Sequence, residues 1–211
     1  MGYHCIHIFD WDDEVKIIQE LLLPKPKIYA RNTTICSISK SEAKEFLLQH
    51  HLQGSCNGQS ILLGLRDKYG NLVSLMSFGK PRYNKNYEYE LLRYCSSMQV
   101  VGGAEKLFKY FLKTYKPKSI ISYCDKSKFS GNVYKTLGFT LKEKGKPSCH
   151  WYSDNKSEKM QHITDNTLRR YGYDILFNEH YGKGTSNEEL IIKRGYVPIY
   201  DCGQDTYVYL A

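Results

Sequence analysis

Between Glu90 and Phe139 the chain switches repeatedly between strand and helix periodicity, and that order limits the fold more than any other stretch. Glu88–Cys95 reads as a strand. Val100-Val101-Gly102-Gly103-Ala104 stands where strand passes to helix. The two glycines allow a tight turn and a close approach to a ligand. The first amides of the following helix then face an anion, with the helix dipole assisting. That helix carries Leu107, Phe108, Phe111 and Leu112 on one face, with Lys106, Lys109 and Lys113 on its flanks. Pro117 ends it, and Ser119–Tyr123 follows as a short apolar strand. Asp125 stands at that strand's C-terminal end, where open α/β sheets place ligands.

The same reading extends in both directions. Tyr3–Phe9 alternates as a strand, and a helix follows to about Leu23, broken by Pro24 and Pro26. Ile28–Ile38 reads as one strand. Ser39-Lys40-Ser41-Glu42 is a capping-box pattern that opens a helix to His51. Ile61–Arg66 and Leu72–Phe78 form a hairpin around Asp67–Asn71. Thr140–Lys144 and His150–Ser153 are expected to close the sheet as a second hairpin. Thr164–Phe177 and Glu188–Arg194 are expected helices, and Tyr196–Tyr200 and Thr206–Leu210 are expected strands. The implied class is α/β (α+β), a mixed central sheet flanked by helices. The expected division is a strand-helix segment over 1–25, a main domain over 26–154, and a C-terminal strand/helix extension over 155–211 docked on it.

A chain of 211 residues buries one good core. The net charge of +8 points to a polyanionic partner, with a plain basic surface as the alternative. Seven scattered cysteines without a Cys-x-x-Cys pair argue against a disulfide framework and a ribbon-type zinc site, and no metal site is expected. The start of the chain does not read as a signal peptide, and no apolar run is long enough to cross a membrane. The cytoplasm is the expected location.

The stretch Gln99-Val100-Val101-Gly102-Gly103-Ala104 and the ending Tyr134-Lys135-Thr136-Leu137-Gly138-Phe139 resemble the GNAT acyltransferase superfamily. The resemblance implies a GNAT-like sheet and acetyl-CoA or a related acyl-CoA as cofactor, its pyrophosphate held at Val100, Val101, Gly102, Gly103 and Ala104. At finer grain, Phe78-Gly79-Lys80-Pro81-Arg82, Glu90–Cys95 and Ile121–Asp125 resemble phage-borne proteins often fused to homing-endonuclease-type nucleases. His7–Asp13 resembles the exit from such a nuclease domain, of a very-short-patch-repair type, so the first 23 residues read as a remnant or a short N-terminal cap. Asp125 and Tyr134 are also similar in order and spacing to the Mom family, which modifies adenine in phage DNA.

What these resemblances imply for individual residues has a plainer alternative each time. Tyr134 protonates a leaving thiolate, or packs on a short helix. Asp125 orients or deprotonates an amine, or caps the helix that follows Lys126-Ser127-Lys128. His51 contacts substrate, or ends its helix at the negative pole of the dipole. Lys80, Arg82 and Tyr83 (with Lys85 beside them) contact nucleic acid, or form a solvated loop. Ser122 lies in the same implied substrate region. Arg169 and Arg170 extend that surface, or only solubilise a helix. Three functions remain open: an acyl-type transferase acting on a base amine of DNA, a non-catalytic DNA-binding module, and a GNAT acetyltransferase for a protein or small-molecule amine. Oligomeric state is not legible.

Overall fold

The computed structural model describes residues 25–180 and 184–211, and Val15 alone before them. The expected strand and helix over residues 1–23, and the reading of that segment as a nuclease remnant, otherwise lie outside the described residues. The chain forms two compact units. The first runs to Lys144 and takes back the last residues, Asp205–Ala211; the second is Gly145–Gln204.

In the first unit, β1 (Lys27–Tyr29) and β2 (Thr34–Ser37) are separated by a 3-10 turn, Ala30–Asn32. The single strand expected over Ile28–Ile38 is therefore broken. The Thr33 hydroxyl donates to the Ala30 carbonyl at 2.7 Å, and the Lys106 ammonium donates to the carbonyls of Ala30 and Thr33. These bonds satisfy carbonyls that a continuous ladder would otherwise have used. Helix α1 (Lys40–His50) opens as the sequence suggests, with the Ser39 hydroxyl accepting from the Glu42 amide at 3.2 Å. β3 (Gln59–Arg66) and β4 (Leu72–Gly79) form the expected hairpin. Asp67 fixes its turn by accepting from the amides of Tyr69 and Asn71.

β5 (Tyr89–Ser96), β6 (Gln99–Val101), α2 (Gly103–Tyr115), β7 (Ser119–Asp125), α3 (Asn132–Thr136) and β8 (Thr140–Glu143) follow. β12 (Gln204–Leu210) completes a seven-stranded sheet of order β2-β3-β4-β5-β7-β12-β8. β2 to β5 are antiparallel in series, while β5 and β7 run parallel. β1 and β6 form a separate parallel pair. The expected class, a mixed sheet flanked by helices, is what is observed.

Both faces of the sheet are covered. Leu63, Leu65, Met76 and Phe78 pack against Leu107, Phe108 and Phe111 of α2, with Phe78 and Phe111 stacked at 3.6 Å between centroids. On the other face Leu62 and Leu75 pack against Ala43, Phe46 and Leu47 of α1. Neighbours such as Leu62 and Leu63 thus point to opposite layers, as strand geometry requires.

The closing hairpin does not form. β8 is exposed along its whole length and pairs with β12, Leu141 against Tyr207 and Thr140 against Val208. Tyr207 and Val208 are buried and give the sheet the apolar residues that β8 lacks. β9 (Cys149–Tyr152) instead centres the second unit, between β10 (His162–Thr164) and β11 (Val197–Tyr200). The unit boundaries consequently fall at 144/145 and 204/205 instead of at 154. In that unit α4 (Asp165–Phe177) and α5 (Asn187–Lys193) share a core with the sheet, built on Trp151, Leu168, Tyr173, Leu190, Ile191 and Tyr196. Among the described residues no helix is long and apolar enough to cross a membrane.

Candidate active site in a strand fork

β5 and β7 are paired at only two positions, Tyr89 with Ile120 and Glu90 with Ile121. Beyond Glu90 the two parallel strands leave a fork. At its root the buried Ser122 hydroxyl bonds the Leu91 carbonyl at 2.7 Å, and the Arg93 guanidinium takes the Leu92 carbonyl at 2.9 Å. A cavity of about 80 Å³ lies in the fork. Its walls are Leu91–Tyr94 of β5, Tyr123 of β7, Tyr134 of α3, and His51 and Gln53 from the loop after α1.

Tyr134 reaches this cavity because Gly131, at φ +73°, turns the chain into α3. Its ring stacks on Tyr207 at 4.6 Å, and its hydroxyl lies 3.0 Å from the Ser122 hydroxyl. The Ser122 hydroxyl is placed to donate to the Leu91 carbonyl or to the phenol oxygen, and the phenol's own proton reaches toward the Tyr123 carbonyl at 3.4 Å. Burial, against the opposing Ser122 hydrogen bond, pushes the phenol up to about 12. Tyr134 therefore stays protonated at every physiological pH.

Asp125 ends β7 as expected, but its carboxylate is already engaged. One oxygen accepts from the Ser127 amide (2.9 Å) and hydroxyl (2.6 Å). The other accepts from the Gln53 side-chain amide at 3.0 Å. The geometry is that of a turn cap which also anchors the 51–54 loop. Arg93 adds a second anchor by donating to the Gly54 carbonyl at 3.1 Å. His51 sits inside this loop. Its Nδ1 accepts the Gln53 amide at 3.0 Å, and its ring lies 5.7 Å from that of Phe129. Burial, with the cations Arg93 and Lys128 nearby, holds its pKa down to about 4.

The glycine turn is placed next to the fork. Gly102 adopts φ +75° as the N-cap of α2, and no side chain caps that helix. A Cβ on Gly103 would stand 3.3 Å from the hydroxyl of Tyr94, itself a wall of the fork. Val101 and Gly102 are exposed, while Val100, Gly103 and Ala104 are buried.

Arg82 is not displayed as a free cation. Its amide and guanidinium make three bonds of 2.7–2.9 Å to Glu90, a carboxylate only 1% exposed. Burial of the guanidinium works against this pair, but the bonds to Glu90 prevail and its pKa is raised. The Lys85 ammonium bonds the Pro81 carbonyl. Tyr83 is exposed and meets Tyr123 edge-on at 5.5 Å, which puts it beside the fork wall; Lys80 is exposed. The sequence reading missed Glu90, Gln53 and Arg93. Glu90 carried a signal: an acid beside Leu91 and Leu92 in a strand is buried or paired.

In the second unit Arg169 pairs with Asp165 at 2.8 Å, and Arg170 lies over the Tyr171 ring. That unit holds a wider hollow of about 920 Å³, whose lining includes none of the sequence-predicted site residues of the first unit. The indole N–H of Trp151, part of its lining, is the one buried side-chain polar atom without a partner among the described residues.

No protein-family model matches the chain, and no characterised protein sequence matches it significantly. Solved structures that resemble it include a proposed phosphinothricin N-acetyltransferase, 11% identical, covering 84% of this chain and 98% of that one at a TM-score of 0.47. The spermidine/spermine N-acetyltransferase SpeG of Vibrio cholerae is 10% identical over 86% of this chain and 94% of its own, at 0.46. The proposed acetyltransferase yncA of Salmonella typhimurium, solved with acetyl-CoA, is 14% identical over 63% and 91%, at 0.41. All three scores lie below 0.5, so the functional reading rests on the geometry of this chain alone.

Proposed function

We propose that the chain is a GNAT-type N-acyltransferase, with an acyl-CoA donor in the β5/β7 fork and Tyr134 at the reacting end. The observation that carries this is the fork itself: two parallel strands parted beside an uncapped helix start, with a protonated phenol between them. An extended arm bearing amides supplies partners for strand groups that have lost a neighbour. The diphosphate end then meets the first amides of α2 at Gly102–Ala104. Tyr134 donates a hydrogen bond to the leaving sulfur. Complete proton transfer from a phenol near 12 to a thiolate of ordinary pKa runs uphill, so its contribution is stabilisation of charge on sulfur.

For the acceptor we propose an amine of nucleic acid, supported by the net charge of +8 and the exposed Lys80 and Tyr83 beside the fork. Arg82 lends this no support, being committed to Glu90. The test is calorimetric titration with acetyl-CoA, then thiol release measured with duplex DNA, single-stranded DNA, spermidine and a lysine peptide as acceptors. Mass analysis of the digested nucleosides identifies the product. Binding of acetyl-CoA with turnover only on spermidine or peptide moves the acceptor to those amines. Failure to bind acetyl-CoA defeats the reading.

A further inference from the structure

We infer that His51 is a catalytic residue in this fork, supplying a neutral Nε2–H that hydrogen-bonds the acyl oxygen as it becomes an oxyanion. The inference rests on the acyltransferase reading above.

Three features of the structure support it. First, the tautomer is set by the fold. Nδ1 accepts the backbone amide of Gln53 at 3.0 Å, so the proton of a neutral ring sits on Nε2. Second, Nε2 is available. Among the described residues it makes no hydrogen bond, yet it is not sealed from solvent, and His51 and Tyr134 line the same cavity. Third, the ring is held. Phe129 lies against it, Gln53 is tied to Asp125, and Gly54 is tied to Arg93. A fixed donor in a small cavity stabilises developing charge without reorganising. The groups around the ring are Arg93 from β5, Asp125 at the end of β7, Lys128 just beyond it, and Tyr134 from α3. The two cations help keep the imidazole uncharged, so it acts as a donor at neutral pH and not as a base.

The amine lone pair forms the C–N bond, and the carbonyl π pair moves to the oxygen facing His51 Nε2–H. On collapse the C–S bond breaks and sulfur leaves with its electron pair beside the Tyr134 hydroxyl. The nitrogen loses one proton to water. The products are an amide, a thiolate and that proton.

The experiment compares wild type, His51→Ala and His51→Gln in acetyl-CoA turnover over pH 6–9, alongside two-bond nitrogen–proton NMR of the histidine ring in wild type. His51→Ala is expected to lower kcat by about 10²–10³-fold with the acetyl-CoA KM nearly unchanged. His51→Gln, whose amide presents an N–H at a similar reach, is expected to recover most of that loss. The NMR pattern is expected to show the Nε2–H tautomer, uncharged at pH 6. Three results would overturn the inference: His51→Ala turning over within threefold of wild type, His51→Gln as poor as His51→Ala, or an Nδ1–H or charged ring at pH 7. A wild-type chain that neither binds nor turns over acetyl-CoA defeats the acyltransferase reading itself, and this inference with it.

Discussion

Replacing Arg82 by alanine separates two accounts of the basic loop. If the residue serves nucleic acid, the substitution weakens binding and leaves the fold alone. The structure makes it a structural partner. Glu90 is 1% exposed at the root of the fork, and Arg82 gives it a backbone amide at 2.7 Å and guanidinium bonds of 2.9 and 2.7 Å. Removing the guanidinium leaves a buried carboxylate with one amide donor of the three. Breaking a buried ion pair from one side costs about 3–5 kcal/mol. The Arg82 side chain is 37% exposed, so water reaches its end of the pair and the lower figure applies. For a chain of this size that corresponds to a Tm lower by about 6–12 °C.

Thermal unfolding followed by circular dichroism reads this directly. Two controls fix the cause. Glu90→Gln keeps an acceptor for the Arg82 amide without leaving a charge, and is expected to lose less. Arg82→Met combined with Glu90→Leu removes both charges, and is expected to lie nearer wild type than Arg82→Ala does. An Arg82→Ala protein melting within about 2 °C of wild type, with DNA affinity reduced and its salt dependence flattened, would refute the buried-pair account and restore Arg82 to the phosphate surface.

Tyr134→Phe removes a hydrogen bond to a charged leaving group and is expected to lower kcat by roughly 10–150-fold. A loss confined to KM would point to packing alone. Gly102→Ala makes only ordinary contacts, with Ala30 Cβ at 3.7 Å and Glu105 Oε2 at 3.8 Å, but sits at a φ of +75°, so its cost is strain of about 1–2 kcal/mol. Weaker acetyl-CoA binding in calorimetry is expected with it, and unchanged affinity would remove Gly102 from the donor site. The His51 pKa, depressed from 6.5 to about 4, contributes stability that is full above pH 6.5 and lost as pH falls through 4, on the order of 3 kcal/mol. Acid unfolding of His51→Gln is therefore expected to lack that part of the pH dependence. Tyr134, raised from 10 to about 12, works in the opposite direction: its contribution is full below pH 10 and lost as pH rises through 12, so Tyr134→Phe is expected to flatten alkaline unfolding.

Which residues were legible in the sequence follows from the range over which each is determined. Gly102 needs φ +75° where a strand meets a helix, and that demand is written in two adjacent glycines followed by an amphipathic run. Ser39 and Asp67 are local for the same reason: each bonds amides two to four residues away. The closing hairpin failed because strand pairing is decided at long range. β8 carries no buried side chain of its own, so it takes its place from β12, sixty residues further on, which does. The site divides along the same line. Asp125 and Tyr134 were found from spacing along the chain, and they do border one cavity or its anchoring loop. What each one does was set by groups distant in sequence: Gln53 on Asp125 and Ser122 on Tyr134. His51 shows the consequence most sharply. As a sequence position it ended a helix, where the dipole favours a cation. In the fold Arg93 and Lys128 face it, burial removes its water, and an amide two residues on takes its Nδ1. The local field and the tertiary field therefore favour opposite charge states, and desolvation decides between them, because a last-turn dipole is worth about 0.3–1 kcal/mol while the pKa drop to about 4 corresponds to roughly 3.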